Sequence, residues 1–281
     1  MTDHAPTAAA DGSRHVTRTG GATLWVASRE TARRTALQYL RTPQMLVLPT
    51  VMVTLFLFIY RYVLGGAIAT GSSVDYVQFL VPGFVVTTVL WTGMNAPAGV
   101  AQDAASGVHD RLRSLPIPRS AAMAGRSLAD TALGCWTLST TTALGVAVGF
   151  RPQGGAGRAL LAGAVLVAAT HTFSWVFIAL GLVAGNAQAA QGMASLVVVP
   201  LTFMSSAYVP IDSMPGWLQA VASNQPVTAV VNAVRSLLLG DTDAGGIDHS
   251  TTYWVALSLM WCAGLLVAFS AIATARFTRK R

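Results

Sequence analysis

The sequence predicts an all-α integral membrane protein with six transmembrane helices. Of its 281 residues, 53% are hydrophobic and only 10% are charged, far below the roughly 25% charge of a soluble domain. Those charges cluster in gaps between apolar runs, and six runs reach the length of about 20 residues that carries a helix across about 30 Å of hydrocarbon. The runs are 45–64, 76–98, 127–149, 160–183, 192–209 and 253–275. Unbroken runs of this length specify helices, not the alternating strands of about ten residues in an outer-membrane barrel.

In chain order, residues 1–23 are polar and rich in Ala, Thr and Gly, with no apolar core of a cleavable signal. They are expected to be a disordered cytoplasmic tail. Residues 24–42 form an amphipathic interface helix: Trp25, Ala32, Ala36 and Tyr39 recur at helical spacing, while Glu30, Arg33, Arg34 and Arg41 gather on the remaining surface. Glu30 and Arg34 stand four apart as an ion pair, and Pro43 ends the helix. The helix can anchor to lipid alone or also present its polar face to a cytoplasmic partner. The six-span domain covers 43–275, and 276–281 is a basic cytoplasmic tail. Between spans, 76–102 carries no Asp, Glu, Lys or Arg, and 159–211 is likewise free of them, with His171 as its one histidine. The second stretch holds two crossings joined by the polar turn 185–191.

Charge fixes the orientation. With both termini inside, Arg14, Arg18, Arg29, Arg33, Arg34, Arg41, Arg111, Arg113, Arg119, Arg126, Arg276, Arg279, Lys280 and Arg281 are cytoplasmic, leaving only Arg61, Arg151, Arg158 and Arg235 at the outer side. A pI near 10.1 therefore reports topology. No basic stripe interleaved with aromatics lies outside the spans, so nucleic acid is not an expected ligand. Cys135 and Cys262 fall inside spans as packing residues, and His171 reads as a satisfied interior side chain. The sequence contains no HExxH, no Gly-x-Ser-x-Gly and no paired acidic site within a span. Arg126 and Asp130 read as an i, i+4 ion pair that anchors the entry of span three, with a proton relay as the alternative.

Two connecting segments carry the functional signal. The cytoplasmic loop 103–126 contains Gly107, Asp110, Arg111, Leu112, Arg113, Leu115 and Pro116, followed by Pro118. A short helix through 110–115 would be stopped by the proline pair, with Leu112 and Leu115 toward the membrane and Arg111 and Arg113 toward cytoplasm or headgroups; the other reading is a positive-inside loop and nothing more. The external segment 211–240 reads as two short helices. Trp217, Leu218 and Val221 form one face, Pro226 breaks the chain, and Val227, Val230, Val231, Val234 and Leu238 recur at helical spacing. Each half is too short to span, so the pair either caps the bundle or re-enters within protein as an outer gate marked by Pro215, Trp217 and Pro226. Inside span two, Asn95 beside Pro97 marks a locally broken helix.

The string 107–117 with Gly125, Arg126 and Asp130, then Ser205-Ser206-Ala207-Tyr208-Val209-Pro210, Met214-Pro215-Gly216-Trp217-Leu218, and Asn224-Gln225-Pro226-Val227 with Arg235, resembles the permease subunits of ABC type-2 exporters, in the daunorubicin-resistance branch. The likeness runs from about Leu24 to the C-terminus.

The resemblance implies an N-terminal interfacial helix at 24–40 and a coupling helix at 107–118 that docks on a separate nucleotide-binding ATPase subunit. It implies a pair of permeases around a central path, a hairpin dipping in from the outer face between spans five and six, and a bacterial plasma membrane. Since spans two and five face the partner permease in that family, Phe84, Trp91, Met94, Asn95, Phe203, Met204 and Ser205 are the lining set it points to. ATP and Mg belong on the partner subunit. Independently, the one Lys in the chain is Lys280, so no Walker A loop is present. A lining of Trp, Phe and Met suits a hydrophobic or amphipathic compound, a drug-like natural product or a lipid, moved by alternating access. An ATP-independent secondary transporter or channel is the alternative, and it would need ionisable residues along a path or a broken-helix repeat.

Overall fold

The computed structural model describes residues 24–42, 44–64, 76–106, 119–240 and 249–279. The expected tail 1–23, the loop residues 107–118 and the last two residues lie outside these. The elements are α1 (Leu24–Arg41), α2 (Gln44–Phe58) continued by a π-helical turn (Ile59–Leu64), α3 (Tyr76–Gly93), α4 (Ala96–Ala105), α5 (Arg119–Ala147), α6 (Gly155–Val183) and α7 (Ala187–Phe203). A 3-10 turn (Ile211–Ser213) then leads to α8 (Gly216–Ser223), α9 (Pro226–Leu239) and α10 (Thr251–Arg279). No strand occurs among the described residues.

Among the described residues, three helices are long and apolar enough to cross a membrane: Tyr76–Ala105, Gly155–Val183 and Thr251–Phe277. The other three expected runs are helical as well, but each falls short of that standard for a visible reason. α2 carries Pro49 and changes to π geometry, and α7 has only 17 residues with Pro200 near its end. α5 is 29 residues long but rich in Ser and Thr. Their hydroxyls return to the helix: Thr131 donates to Ser127 O at 2.7 Å, Thr137 to Leu133 O at 3.1 Å and Thr141 to Thr137 O at 2.7 Å. Such back-bonding hides polarity that a hydropathy sum counts in full.

The packing is that of a protein whose solvent is lipid. The apolar windows of α3–α4 and of α6 are each 78% buried, whereas that of α10 is only 11% buried and exposes Leu259, Met260, Val267 and Ile272. An apolar surface of that extent has no place in water and costs nothing against acyl chains. α9 is different. Its 14 residues reach about 21 Å, short of a crossing, and nearly every side chain from Val227 to Leu237 is buried between α3, α6, α8 and α10. α9 is thus an interior helix and not a surface cap, while Trp217 of α8 remains 70% exposed.

Cross-element hydrogen bonds define the two ends of the bundle. At one end Gln78 donates to Gly149 O and accepts from the Arg151 amide, and the Gln153 and Gly154 amides donate to Leu238 O at 2.7 and 2.9 Å. The start of α3, the α5–α6 turn and the end of α9 therefore lie together. At the opposite end Val100 of α4, Met123 of α5, Leu182 of α6 and Phe277 of α10 share one buried cluster.

Candidate functional site

The end that holds Phe277 is also where the basic loop leaves and re-enters the bundle. Residues 107–118, and with them Gly107, Asp110, Arg111, Leu112, Arg113, Leu115 and Pro116, lie outside the described residues, but both of their flanks are described. Arg126 of α5 reaches across to α4: its Nη1 lies 3.1 Å from the Asp103 carboxylate, and its Nε lies 3.3 Å from Asp130. Nη2 also donates to Ala96 O at 3.5 Å. The guanidinium closely approaches Gly99, where a Cβ would stand 2.5 Å from Nη2, so a larger residue there would require the Arg126 side chain to shift. The Arg126–Asp130 pair expected from sequence is present, and Asp103 extends it into a clasp across the base of the loop. The Arg126 side chain is 12% exposed and that of Asp130 8%, against 35% for Asp103.

α1 packs along α5 through Ser28 and Thr35, with Ala32 and Ala36 partly covered. That face of small side chains leaves Arg29, Glu30, Arg33 and Arg41 exposed. Glu30 pairs with Arg33 at 3.8 Å, one position short of the expected Arg34, whose side chain lies outside the described residues. At 62% and 72% exposure this pair adds little stability and stays available to a partner.

Midway through the bundle the second run breaks as expected, with α3 ending at Gly93 and α4 resuming at Ala96, Pro97 in its first turn. Asn95 is exposed at the break and accepts from Gln191 of α7 at 3.2 Å. Trp91 above it is 39% exposed and Phe203 at the end of α7 is 55% exposed, while Met94 and Met204 are half-buried. Tyr208, buried, packs on Phe203, with the two rings 5.9 Å apart. Phe84 and Ser205 face inward within this single chain. Phe84 packs against Tyr60 and Tyr208, and Ser205 donates to Thr202 O at 2.6 Å. The lining set therefore divides into exposed Trp91, Asn95 and Phe203, intermediate Met94 and Met204, and buried Phe84 and Ser205.

At the far end the motif residues 205–208 are bound to α9 and α3. Ser206 donates to Asn232 at 2.9 Å, its amide donates to Thr228 at 3.3 Å, and Gln225 donates to Met204 O. Thr87 shares a hydrogen bond of 2.9 Å with Tyr208, which stacks on Tyr60 at 4.7 Å. α3 comes so close that a Cβ on Gly83 would stand 2.0 Å from Ala207 O, so glycine is required there. Of the residues expected to mark an outer gate, Pro215 and Trp217 are exposed, and Pro226 is half-buried at the first position of α9, where its missing N–H is harmless.

Sequence reasoning missed Arg235. Read as an outer-surface charge, it is instead completely buried. The signal was available: Arg235 follows Val231 by four and precedes Leu238 by three, which places it on the apolar stripe of α9.

His171 bridges α5 and α6 and is satisfied on both ring nitrogens. Trp175 Nε1 donates to Nε2 at 3.3 Å, so Nδ1 carries the proton toward Ser127 at 3.2 Å and Thr131 at 3.1 Å. Cys135 and Cys262 are both free. Among the described residues, no three His, Cys, Asp or Glu gather closely enough to hold a metal ion.

Comparison with known proteins agrees with the resemblance. The family model for ABC-2 type transporters matches residues 29–239. A daunorubicin resistance ABC transporter permease protein of Streptomyces coeruleorubidus is 33% identical over 249 residues, 88% of this chain and 84% of the relative. A probable doxorubicin resistance ABC transporter permease protein of Mycobacterium tuberculosis is 25% identical over 229 residues, 82% and 81% of the two chains. An inner membrane transport permease of Escherichia coli K12 is 25% identical over 261 residues, 91% and 98% of the two chains. The chain, an integral membrane protein, therefore belongs to the ABC-2 type transporter family, as a permease of the daunorubicin-resistance branch.

Proposed function

We propose that this chain is the membrane half of an ATP-driven exporter: two permeases enclose a path for a hydrophobic or amphipathic compound, and a separate ATPase subunit energises each of them. The observation that carries this reading is the shared surface of α3, α4 and α7. There, Trp91 on α3 and Phe203 on α7 are exposed, Phe203 against the buried Tyr208, beside a broken helix whose Asn95 meets Gln191. Apolar contact area with a few fixed polar groups suits a drug-like or lipid cargo. In this reading the chain crosses the plasma membrane of a bacterium six times with both termini cytoplasmic, and 211–240 dips in from the outer face.

The cycle then follows from the connections. Closure of the two ATPase subunits around ATP and Mg moves the loop 107–118, with the exposed face of α1, Glu30 and Arg33 included, as the second contact. The Arg126 clasp carries that movement into α4 and α5 together. α2 to α5 tilt against the partner permease, and the path between α3 and α7 opens outward. A proton-coupled transporter has less support, because the described ionisable groups in the bundle interior are locally satisfied: Asp130 by Arg126, and Arg235 by carbonyl groups.

The test uses inverted membrane vesicles holding the chain with its ATPase subunit and a fluorescent amphipathic dye. ATP should drive dye accumulation that vanadate blocks and that collapse of the proton gradient leaves intact. Accumulation that survives ATP depletion, or that stops with the proton gradient, sinks the proposal.

A further inference from the structure

Arg235 sits at the centre of the far end with no exposure to solvent and is bound to neutral groups. Its Nε and Nη2 donate to Phe79 O at 3.3 and 3.1 Å, Nη2 donates to Ser206 O at 2.8 Å, and Nη1 donates to Asn232 Oδ1 at 3.3 Å. The guanidinium carbon also lies 3.8 Å from the centroid of the Phe79 ring. Asn232 Oδ1 accepts from Ser206 as well, while its buried Nδ2 has no partner among the described residues.

As a device for stability alone this arrangement is poor. A buried cation held by neutral dipoles is costly, and a well-packed apolar side chain of similar volume would serve the core at least as well. What the planar fork supplies is geometry, because its donors leave in fixed directions. Here they reach three separate pieces of chain: α3 at Phe79, the turn after α7 at Ser206, and α9 itself at Asn232. Other ties join the same three pieces. Tyr76 donates to Tyr208 O at 3.3 Å, and the Ser206 amide donates to Thr228.

We propose that Arg235 is the positioning residue of the outer gate: its clasp welds α9, the 205–208 turn and α3 into one rigid body. The hairpin α8–α9 then does not swing on its own. Opening is a rotation of the welded body, so movement of α3 and movement of the gate are one event. The gating role rests on the exporter reading, but the weld itself does not.

Arg235→Met and Arg235→Lys test it in the assembled complex. Arg235→Met removes every donor and should lower transport per ATP hydrolysed at least about tenfold, while Arg235→Lys, which keeps the charge without the fork, should fall between. A merely structural role would reduce the amount of assembled complex and leave that ratio unchanged, which would overturn the proposal. A second readout needs neither ATP nor cargo. With Cys135→Ser and Cys262→Ala as background, Ala222→Cys on α8, buried in the native chain, is exposed to a membrane-impermeant maleimide. Labelling should quicken at least about fivefold in Arg235→Met. Equal rates overturn the weld. If Arg235→Met does not accumulate, the Arg235→Lys rate decides in the same way. If the native complex shows no ATP-driven transport, the exporter reading fails, and the labelling still tests the weld.

Discussion

Replacing Arg111 and Arg113 together by Glu should abolish substrate-stimulated ATPase activity while the chain still inserts in the membrane. The two arginines flank Leu112 just ahead of Pro116 and Pro118, in the loop expected to dock on the ATPase subunit. Removing one partner of a desolvated charge pair at an interface costs about 2–5 kcal/mol. Even the lower figure weakens docking about thirtyfold, and reversal adds repulsion to the loss. Insertion should survive, because twelve of the fourteen basic residues that the proposed orientation places inside remain to hold it. The checks are ATPase rate with and without cargo, and protease accessibility of the termini. Normal stimulation in the double variant would refute the docking role.

The second large effect is expected at Arg126. Arg126→Met leaves Asp130, 8% exposed, and Asp103, 35% exposed, without the cation that lies between them. Breaking a buried pair from one side costs about 3–5 kcal/mol, and partial exposure of Asp103 brings the expectation to the lower part of that range. The detergent-solubilised protein should lose thermal stability, and cargo should no longer stimulate ATP hydrolysis, because α4 and α5 no longer move together. The triple variant Arg126→Met, Asp103→Asn, Asp130→Asn should recover most of the stability and little of the stimulation. Full recovery of both would show that the clasp serves folding alone. An unchanged melting temperature in Arg126→Met would show that it is not formed.

Much of the fold could be read in the sequence because lipid makes few demands and makes them strictly. The helical class followed from run length, and the break at Asn95 from Pro97 beside it. The burial of α9 was half legible: the valine stripe and the shortness were visible, but not that α3, α6, α8 and α10 enclose it. The site was harder. A charge count assigns every Arg to a surface, and that habit misplaced Arg235, whose carbonyl partners Phe79 and Ser206 lie more than two dozen residues away in sequence. Resemblance placed Phe84 and Ser205 among the lining residues, yet within this chain aromatic packing on Tyr208 and a short turn bury them. Asp103 joined the Arg126 clasp unannounced, because a contact across 23 positions leaves no periodic trace.

The central claim is that another subunit's ATP hydrolysis enters the membrane through 107–118. A photo-crosslinking amino acid at Leu112 in the intact complex tests this most directly, with Gly157 at the opposite end of the bundle, exposed at the start of α6, as the control position. Leu112 should capture the ATPase subunit, with a yield that changes when vanadate traps the closed state, and Gly157 should not capture it. Capture of the ATPase subunit from Gly157 and not from Leu112 would contradict both the docking surface and the orientation on which it rests.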